Sequence, residues 1–177
     1  MLRFSIDISD VDRGVYQALE LRVARHPSEG DQYLVTRIIA AALHVSDGVE
    51  MSRAGLCGPE DPPLIARDLT GQITYWIDLG APSPERLHKA NKKAQNVVVY
   101  TYKRPEPLIE AIRKASVHRA EDIALYSLRP EFLDSLAACI GRNNAWTIVR
   151  TEGELFITAG DLNASCDLVH HPLGDGA

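Results

Sequence analysis

The 177-residue sequence contains only three cysteines, and no two of them form a Cys-x-x-Cys pair. They stand far apart, at Cys57, Cys139 and Cys166. An odd number of isolated cysteines argues against a disulfide framework and against a thiolate zinc site. The sequence therefore predicts small buried or half-buried thiols without a redox or metal role.

The sequence also lacks an apolar run that could cross a membrane. Its longest run extends only from Ile38 to Leu43, whereas a spanning helix needs roughly 20 apolar residues. The N-terminal stretch MLRFSIDISD does not have a secretory pattern, because acidic residues interrupt its apolar positions. We therefore expect a cytoplasmic protein with no membrane partner.

Positive charge is scarce overall, since the formal net charge is −5. Proteins that grip long duplexes usually present a positive surface that releases counterions from phosphates, so the net charge argues against tight duplex binding. One stretch is basic and free of acidic residues: Arg86, Lys89, Lys92, Lys93, Lys103 and Arg104. Such a run is often a solvated helix face.

What is present fits one ordinary globular domain spanning residues 1–177, because 45% of the residues are hydrophobic. Apolar periodicity, turn residues and capping residues predict an α/β (α+β) order of elements. The predicted strands are Leu2–Ser9, Leu19–Val23, Val49–Arg53, Leu64–Leu69, Gln72–Leu79, Val97–Tyr102, Asp122–Leu128, Trp146–Arg150, Glu154–Thr158 and Asp161–Val169. The predicted helices are Ser28–Ser46, Ser83–Asn96, Pro105–Ala115 and Pro130–Ile140, and residues 170–177 are expected to be loose.

The most informative chemistry lies around the predicted central hairpin. The acidic turn Gly58–Pro63 precedes it, Asp78 lies within its second strand, and the lysine-bearing helix follows. Magnesium prefers oxygen ligands, typically one or two carboxylates with water and phosphate. Asp61 and Asp78 beside a lysine could thus hold Mg²⁺ or Mn²⁺ against a phosphodiester. The simpler readings are a turn residue for Asp61 and a half-exposed strand residue for Asp78.

Several short segments, in this order, resemble the bacterial YaeQ family across nearly the whole chain: Ala24–Glu29, Ser52-Arg53 through Gly55–Cys57, Trp76–Gly80, Lys89-Ala90 and Tyr100–Tyr102. The family is similar in topology to the PD-(D/E)XK nuclease superfamily. The resemblance implies a core of helix, three strands, helix and strand (αβββαβ) at about residues 28–102. A mixed sheet, N-terminal strands and a C-terminal β-meander would complete the fold.

The superfamily pattern implies an acid on the first helix, matched by Glu29, and an acid entering the hairpin, matched by Asp61 with Glu60 and Asp68 as rivals. It then implies an acid-x-lysine triplet, where Asp78-Leu79-Gly80 keeps the acid and lacks the lysine. The family motif favours Lys89 on the following helix as the replacement. Helical spacing places Arg86, Lys89 and Lys93 on one flank and Lys92 on the other.

The resemblance thus implies a catalytic set of Glu29, Asp61, Asp78 and Lys89, with Asp61 and Asp78 as metal ligands. His26, Arg53, Arg67 and Lys93 are candidates for contacts to substrate phosphates. The leading hypothesis is a metal-dependent nuclease or phosphodiesterase, a hydrolase acting on nucleic acid or a nucleotide. The alternative is a non-catalytic module that keeps the nuclease topology and binds nucleic acid or protein.

Overall fold

The computed structural model describes residues 1–52 and 61–174. The predicted site residues Arg53 and Glu60 lie outside these ranges. The chain divides into two compact units, one of Met1–Ser46 with Leu128–Leu168 and one of Asp47–Ser127 with Val169–Ala177. The expectation of a single domain stays a prediction.

The described elements follow the chain in this order: β1 (Leu2–Asp10), β2 (Val15–Val23), α1 (Asp31–Leu43), a 3-10 turn (Val45–Asp47), β3 (Glu50–Met51), β4 (Leu64–Arg67), β5 (Ile73–Leu79), α2 (Pro84–Lys93), β6 (Ala94–Thr101), α3 (Pro105–Lys114), a second 3-10 turn (Ala120–Asp122), β7 (Ile123–Ser127), α4 (Pro130–Ala137), β8 (Asn143–Thr151), β9 (Glu154–Ala159), β10 (Leu162–Asp167) and β11 (Val169–His171). None of the helices within the described ranges is long and apolar enough to span a membrane.

The first unit contains a five-stranded sheet of order β10-β9-β8-β1-β2. Strand β1 runs parallel to β8, and the other pairs are antiparallel. Alternate β1 residues Phe4, Ile6 and Ile8 are buried, as the two-residue period predicts. Helix α1 is buried from Leu34 through Leu43 and packs against α4 and β1. The meander of β8, β9 and β10 confirms the predicted C-terminal strands.

The second unit contains a six-stranded sheet of order β11-β7-β6-β5-β4-β3. Strands β5, β6 and β7 are parallel and are connected by α2 and α3. This confirms the predicted strand–helix–parallel strand crossover after Asp78. The apolar core on one face of this sheet combines Val97 and Val99 of β6 with Leu87 and Ala90 of α2 and Ile112 of α3.

The prediction of a loose tail is wrong for His170 and His171, which form β11 together with Val169 and pair antiparallel with β7. Leu173 beyond it is buried in the core of the second unit. Strand β2 also begins four residues earlier than predicted, at Val15, because β1 supplies a pairing partner along its whole length. Helix α1 begins at Asp31 with Gly30 as N-cap rather than at Ser28.

The order of helix, three strands, helix and strand occurs from α1 to β6. Helix α1, however, belongs to the first compact unit and β3 to β6 belong to the second. The architecture is α+β with two mixed sheets and four α-helices in the described residues. Membership of the nuclease superfamily stays a prediction.

Candidate functional site

Asp78 occupies the end of β5, where it lies opposite Val99 of the parallel strand β6. Its side chain shares a face with Trp76, because residues two apart in a strand point the same way. The carboxylate is only 3% exposed. Trp76 Nε1 donates a hydrogen bond to Asp78 Oδ2 over 3.0 Å. A carboxylate this deeply buried needs a partner of opposite charge.

That partner is Arg86 in the first turn of α2. Its Nε lies 3.0 Å from Asp78 Oδ1 and 2.9 Å from Oδ2, and its guanidinium carbon lies 5.5 Å from the centre of the Trp76 ring. Ser83 caps the helix by accepting a hydrogen bond from the Arg86 main-chain N–H. The local sequence therefore fixes where α2 begins and places this guanidinium over the end of β5.

Asp61 reaches the same arginine through its main chain. Arg86 Nη2 donates to the Asp61 carbonyl oxygen over 2.8 Å, and Asp61 itself is exposed. The structure thus brings Asp61, Trp76, Asp78 and Arg86 together, and we call these four residues the Asp78 clamp. Within it the cation beside Asp78 is an arginine rather than the predicted Lys89.

Gly80 explains why the acid-x-lysine triplet is incomplete. Its φ is +82°, and a Cβ built there would lie 3.6 Å from the Tyr102 hydroxyl. A lysine in this left-handed conformation would be strained, whereas glycine adopts it readily. The main-chain N–H of Gly80 also donates to the Tyr100 carbonyl. The backbone that ends β5 therefore disfavours a lysine at this position.

Glu29 is buried and has both a cationic partner and a main-chain hydrogen-bond donor. It is 4% exposed, and Arg37 Nη2 donates to its Oε2 over 3.0 Å. The main-chain N–H of His26 donates to the same oxygen, while the His26 ring accepts from the Ser28 N–H. These contacts close the loop before α1. Glu29 and His26 belong to the first unit, and the Asp78 clamp belongs to the second.

The predicted lysines lie on the outside of α2. Lys89, Lys92 and Lys93 are all exposed. Lys89 borders a shallow groove of about 400 Å³ between α2 and the end of α3. The other lining residues are Pro84, Glu85, His88, Ala115 and Val117. Lys89 is therefore available to a ligand at the surface, but Arg86 occupies the position beside the buried carboxylate.

The remaining candidates near the β4–β5 hairpin shape its turn. The Asp68 carboxylate accepts hydrogen bonds from the Thr70 hydroxyl and from the main-chain N–H groups of Thr70 and Gln72. The Thr70 hydroxyl bond and these amides lower the pKa of Asp68 below its ordinary value. Arg67 donates to the Gly71 carbonyl over 2.9 Å. Both side chains are used to fix the turn.

A Ser–His contact that no sequence motif predicts lies at the end of β7. His171 Nε2 and Ser127 Oγ lie 2.7 Å apart. Burial lowers the pKa of His171 below its ordinary value of 6.5, although the negative charge of Glu106 acts to raise it. The neighbouring His170 instead packs its ring against Tyr126. The contact joins β11 to β7, and only recognition of β11 as a strand would have revealed it.

The Asp78 carboxylate, one of the two predicted magnesium ligands, does not fit that role in this arrangement. Both oxygens of Asp78 accept from Arg86, and one also accepts from Trp76. A guanidinium in contact with the carboxylate occupies the place where a cation would bind. Within residues 1–52 and 61–174 no three His, Cys, Asp or Glu side chains form a group that could hold a metal. The metal stays a prediction.

The fold and the clamp define an α+β protein with a parallel three-stranded core and a buried carboxylate–guanidinium pair at its edge. The sequence matches the YaeQ protein family over residues 1–168, and the chain belongs to that family. It is 32% identical over 98 residues to the uncharacterized protein YaeQ of Escherichia coli strain K12, covering 55% of this chain and 54% of that protein. The corresponding match to YaeQ of Salmonella typhi is 30% over 97 residues, covering 55% and 53%. These matches span about half the length of the curated relatives.

Solved structures of the family agree with the fold over nearly the full chain. The crystal structure of YaeQ from Xanthomonas axonopodis pv. citri superposes with a TM-score of 0.89 at 31% identity, covering 98% of each chain. That of YaeQ from Pseudomonas syringae gives a TM-score of 0.87 at 23% identity, covering 98% of this chain and 97% of the other. The resemblance read from the short sequence motifs is thereby confirmed.

Proposed function

We propose that the protein is a non-catalytic binding module that holds nucleic-acid phosphates on the basic surface of its second unit. The observation that carries the proposal is the Asp78 clamp. Arg86 neutralises the one buried carboxylate that the nuclease pattern assigns to a metal. The Arg86 guanidinium is bonded to Asp78 and to the Asp61 carbonyl, so it is not available to position a nucleophile or to hold a phosphate oxygen as a catalytic lysine would.

The proposed binding surface consists of five exposed cations, which we call the basic track: Lys89, Lys92, Lys93, Lys103 and Arg104. No acidic residue interrupts the sequence between Arg86 and Arg104. Lysine ammonium groups bind phosphates through charge, with little dependence on base sequence. Lys103 also lies 5.3 Å from the centre of the Tyr102 ring, which offers an aromatic surface beside the cation.

The net charge of −5 predicts that binding is modest and strongly dependent on salt. Fluorescence anisotropy with a labelled single-stranded oligonucleotide at low and moderate salt tests this. The double variant Lys89→Glu with Lys92→Glu should weaken binding and lower the salt slope by about 1 for each lost phosphate contact. Arg113→Glu with Lys114→Glu, which reverses two exposed cations of α3 outside the basic track, is the matched control.

Two results would overturn the proposal: no binding at low salt, or equal binding by the basic-track double variant and by the Arg113→Glu, Lys114→Glu control. Capture of a stable protein partner that is indifferent to the basic track would instead favour the protein-binding form of the module. Capture of that partner should persist in the double variant Asp61→Ala with Asp78→Ala if the partner does not contact the Asp78 clamp, and should be lost if it does.

A metal-dependent phosphodiesterase using Asp61 and Asp78 is the second candidate. The order of elements from α1 to β6, with Asp78 on the third strand, supports it. It requires Asp78 to leave Arg86, at the cost of separating a buried ion pair. Magnesium- or manganese-dependent cleavage of single-stranded, duplex, branched or RNA substrates, lost in Asp78→Asn, would favour this candidate over the module.

A further inference from the structure

Strand β2 forms an open edge of the five-stranded sheet in the first unit. It spans nine residues, and its register with β1 is continuous from Val15 to Val23. In the part of the chain that the structure describes, no strand pairs with its outer side. Natural proteins usually protect such an edge with charged side chains, especially lysine, with proline or with a bulge. Strand β2 has no lysine, proline or bulge, and its charged residues are Glu20 and Arg22.

The hydrogen bonds of β1 show which main-chain groups of β2 point outward. Arg3 and Val11 donate their N–H groups toward β8. Since these groups alternate along a strand, odd-numbered residues of β1 bond β8 and even-numbered residues bond β2. Phe4 faces Leu21 and Ile6 faces Leu19. Odd-numbered residues of β2 are therefore bonded to β1, whereas Glu20 and Arg22 turn their N–H and carbonyl groups to the open edge.

The apolar side of β2 is incompletely covered. Leu19 and Leu21 point to the same face as their partners Ile6 and Phe4. They are only half-buried, whereas Ile6 and Phe4 are 2% and 0% exposed. Another strand placed beside β2 would cover these leucines and continue the core.

The charges on the outer face favour a second copy of the same strand. Glu20 and Arg22 are exposed neighbours on that face, and Ser5 Oγ donates to Glu20 Oε2 over 2.8 Å and orients it. If two β2 strands pair antiparallel with Leu21 opposite Leu21, each Glu20 faces Arg22 of the other copy. Centring the pair on Glu20 would place like charges opposite each other, which is unfavourable.

We propose that two copies of this chain associate through antiparallel pairing of Leu19–Val23, with Leu21 on the twofold axis. Their five-stranded sheets then form one continuous ten-stranded sheet. The shared ladder ends at Val23, because the Ala24 carbonyl accepts from Arg37 Nη2. Two Glu20–Arg22 pairs fix the register, and the Leu21 side chains meet beneath them.

Sedimentation equilibrium tests the proposal by measuring the dissociation constant of the dimer. The wild type should approach twice the 19.5 kDa chain mass as concentration rises. Glu20→Arg should raise the dissociation constant roughly tenfold, because two attractive contacts become repulsive. The exchange Glu20→Arg with Arg22→Glu should restore it. Asp161→Arg, the same charge change at the exposed β9–β10 turn, is the control and should leave the constant unchanged.

Three results would overturn the proposal: a wild type that stays monomeric at high concentration, a Glu20→Arg dimer as tight as that of the control, or an exchange variant as weak as Glu20→Arg. Glu20→Pro provides an independent variant. This change removes the Glu20 main-chain N–H, which points to the open edge and makes no hydrogen bond to β1. The secondary structure measured by circular dichroism should therefore remain unchanged while the dimer is lost. A dimer that persists in this variant also contradicts the proposal.

Discussion

Replacing Arg86 with alanine should destabilise the protein by about 3–5 kcal/mol, because it leaves a buried carboxylate without its cation. The Asp78 side chain is 3% exposed and that of Arg86 is 17% exposed. The arginine contributes hydrogen bonds to both Asp78 oxygens and one to the Asp61 carbonyl. Its loss therefore removes charge compensation and the link between β5, α2 and the chain at residue 61.

Replacing Asp78 with asparagine should cost less, about 1–3 kcal/mol. The amide oxygen of asparagine still accepts the hydrogen bond from Trp76, and the released Arg86 guanidinium is partly exposed and can turn toward water. The double variant should be less destabilised than the sum of the single variants, by about 1.5 kcal/mol or more, because the two residues contact each other.

Urea unfolding followed by circular dichroism and tryptophan fluorescence measures these free energies. Lys89→Ala, on the same helix but exposed, is the control and should change stability by less than about 0.5 kcal/mol. Two results would refute the view that Asp78 and Arg86 form a structural pair. The first is a double variant whose loss of unfolding free energy equals the sum of the two single losses, and the second is an Arg86→Ala variant as stable as the control.

Two further predictions concern other buried charges. Glu29→Gln should destabilise the first unit by about 3–5 kcal/mol, because it leaves the Arg37 guanidinium without its carboxylate and the Arg37 side chain is only 2% exposed. Thermal unfolding checks this prediction, and an unchanged midpoint temperature would contradict it. His171 should titrate below 6.5 in an NMR titration, since burial disfavours its charged form. The unfolded chain then binds the proton more tightly than the folded protein, so His171 should reduce stability as the pH falls below 6.5, and a midpoint at or above 6.5 would contradict this.

Elements whose signals are local could be read from the sequence. The hairpin around Thr70-Gly71 has turn residues between two apolar strands, and α2 has Ser83 and Pro84 at its start, so the structure confirms both. Strand β11 could not be read, because it exists only through pairing with β7 more than forty residues earlier in the chain. A polar His-His-Pro segment carries no local strand signal.

The candidate site was predictable as a location but not as a set of contacts. Asp78 was identified, but helical spacing placed Arg86, Lys89 and Lys93 on one flank of the helix, and the family motif favoured Lys89 rather than Arg86. Arg86 lies beside Asp78 because the Ser83 cap sets the residue at which α2 begins. The start of the helix in turn determines which of its side chains points toward the end of β5. Glu29 likewise matched a motif, while its actual partner, Arg37, became apparent only from the packing of α1.

Both Asp78 oxygens accept hydrogen bonds from Arg86, and this commitment to Arg86 predicts that the Asp78 carboxylate does not bind a metal. Isothermal titration of the wild type and of Asp78→Asn with millimolar manganese tests it most directly. We predict that the two proteins give the same isotherm, with no heat that depends on the Asp78 carboxylate. Saturable manganese binding by the wild type that disappears in Asp78→Asn would show that Asp78 can leave Arg86 and bind a metal.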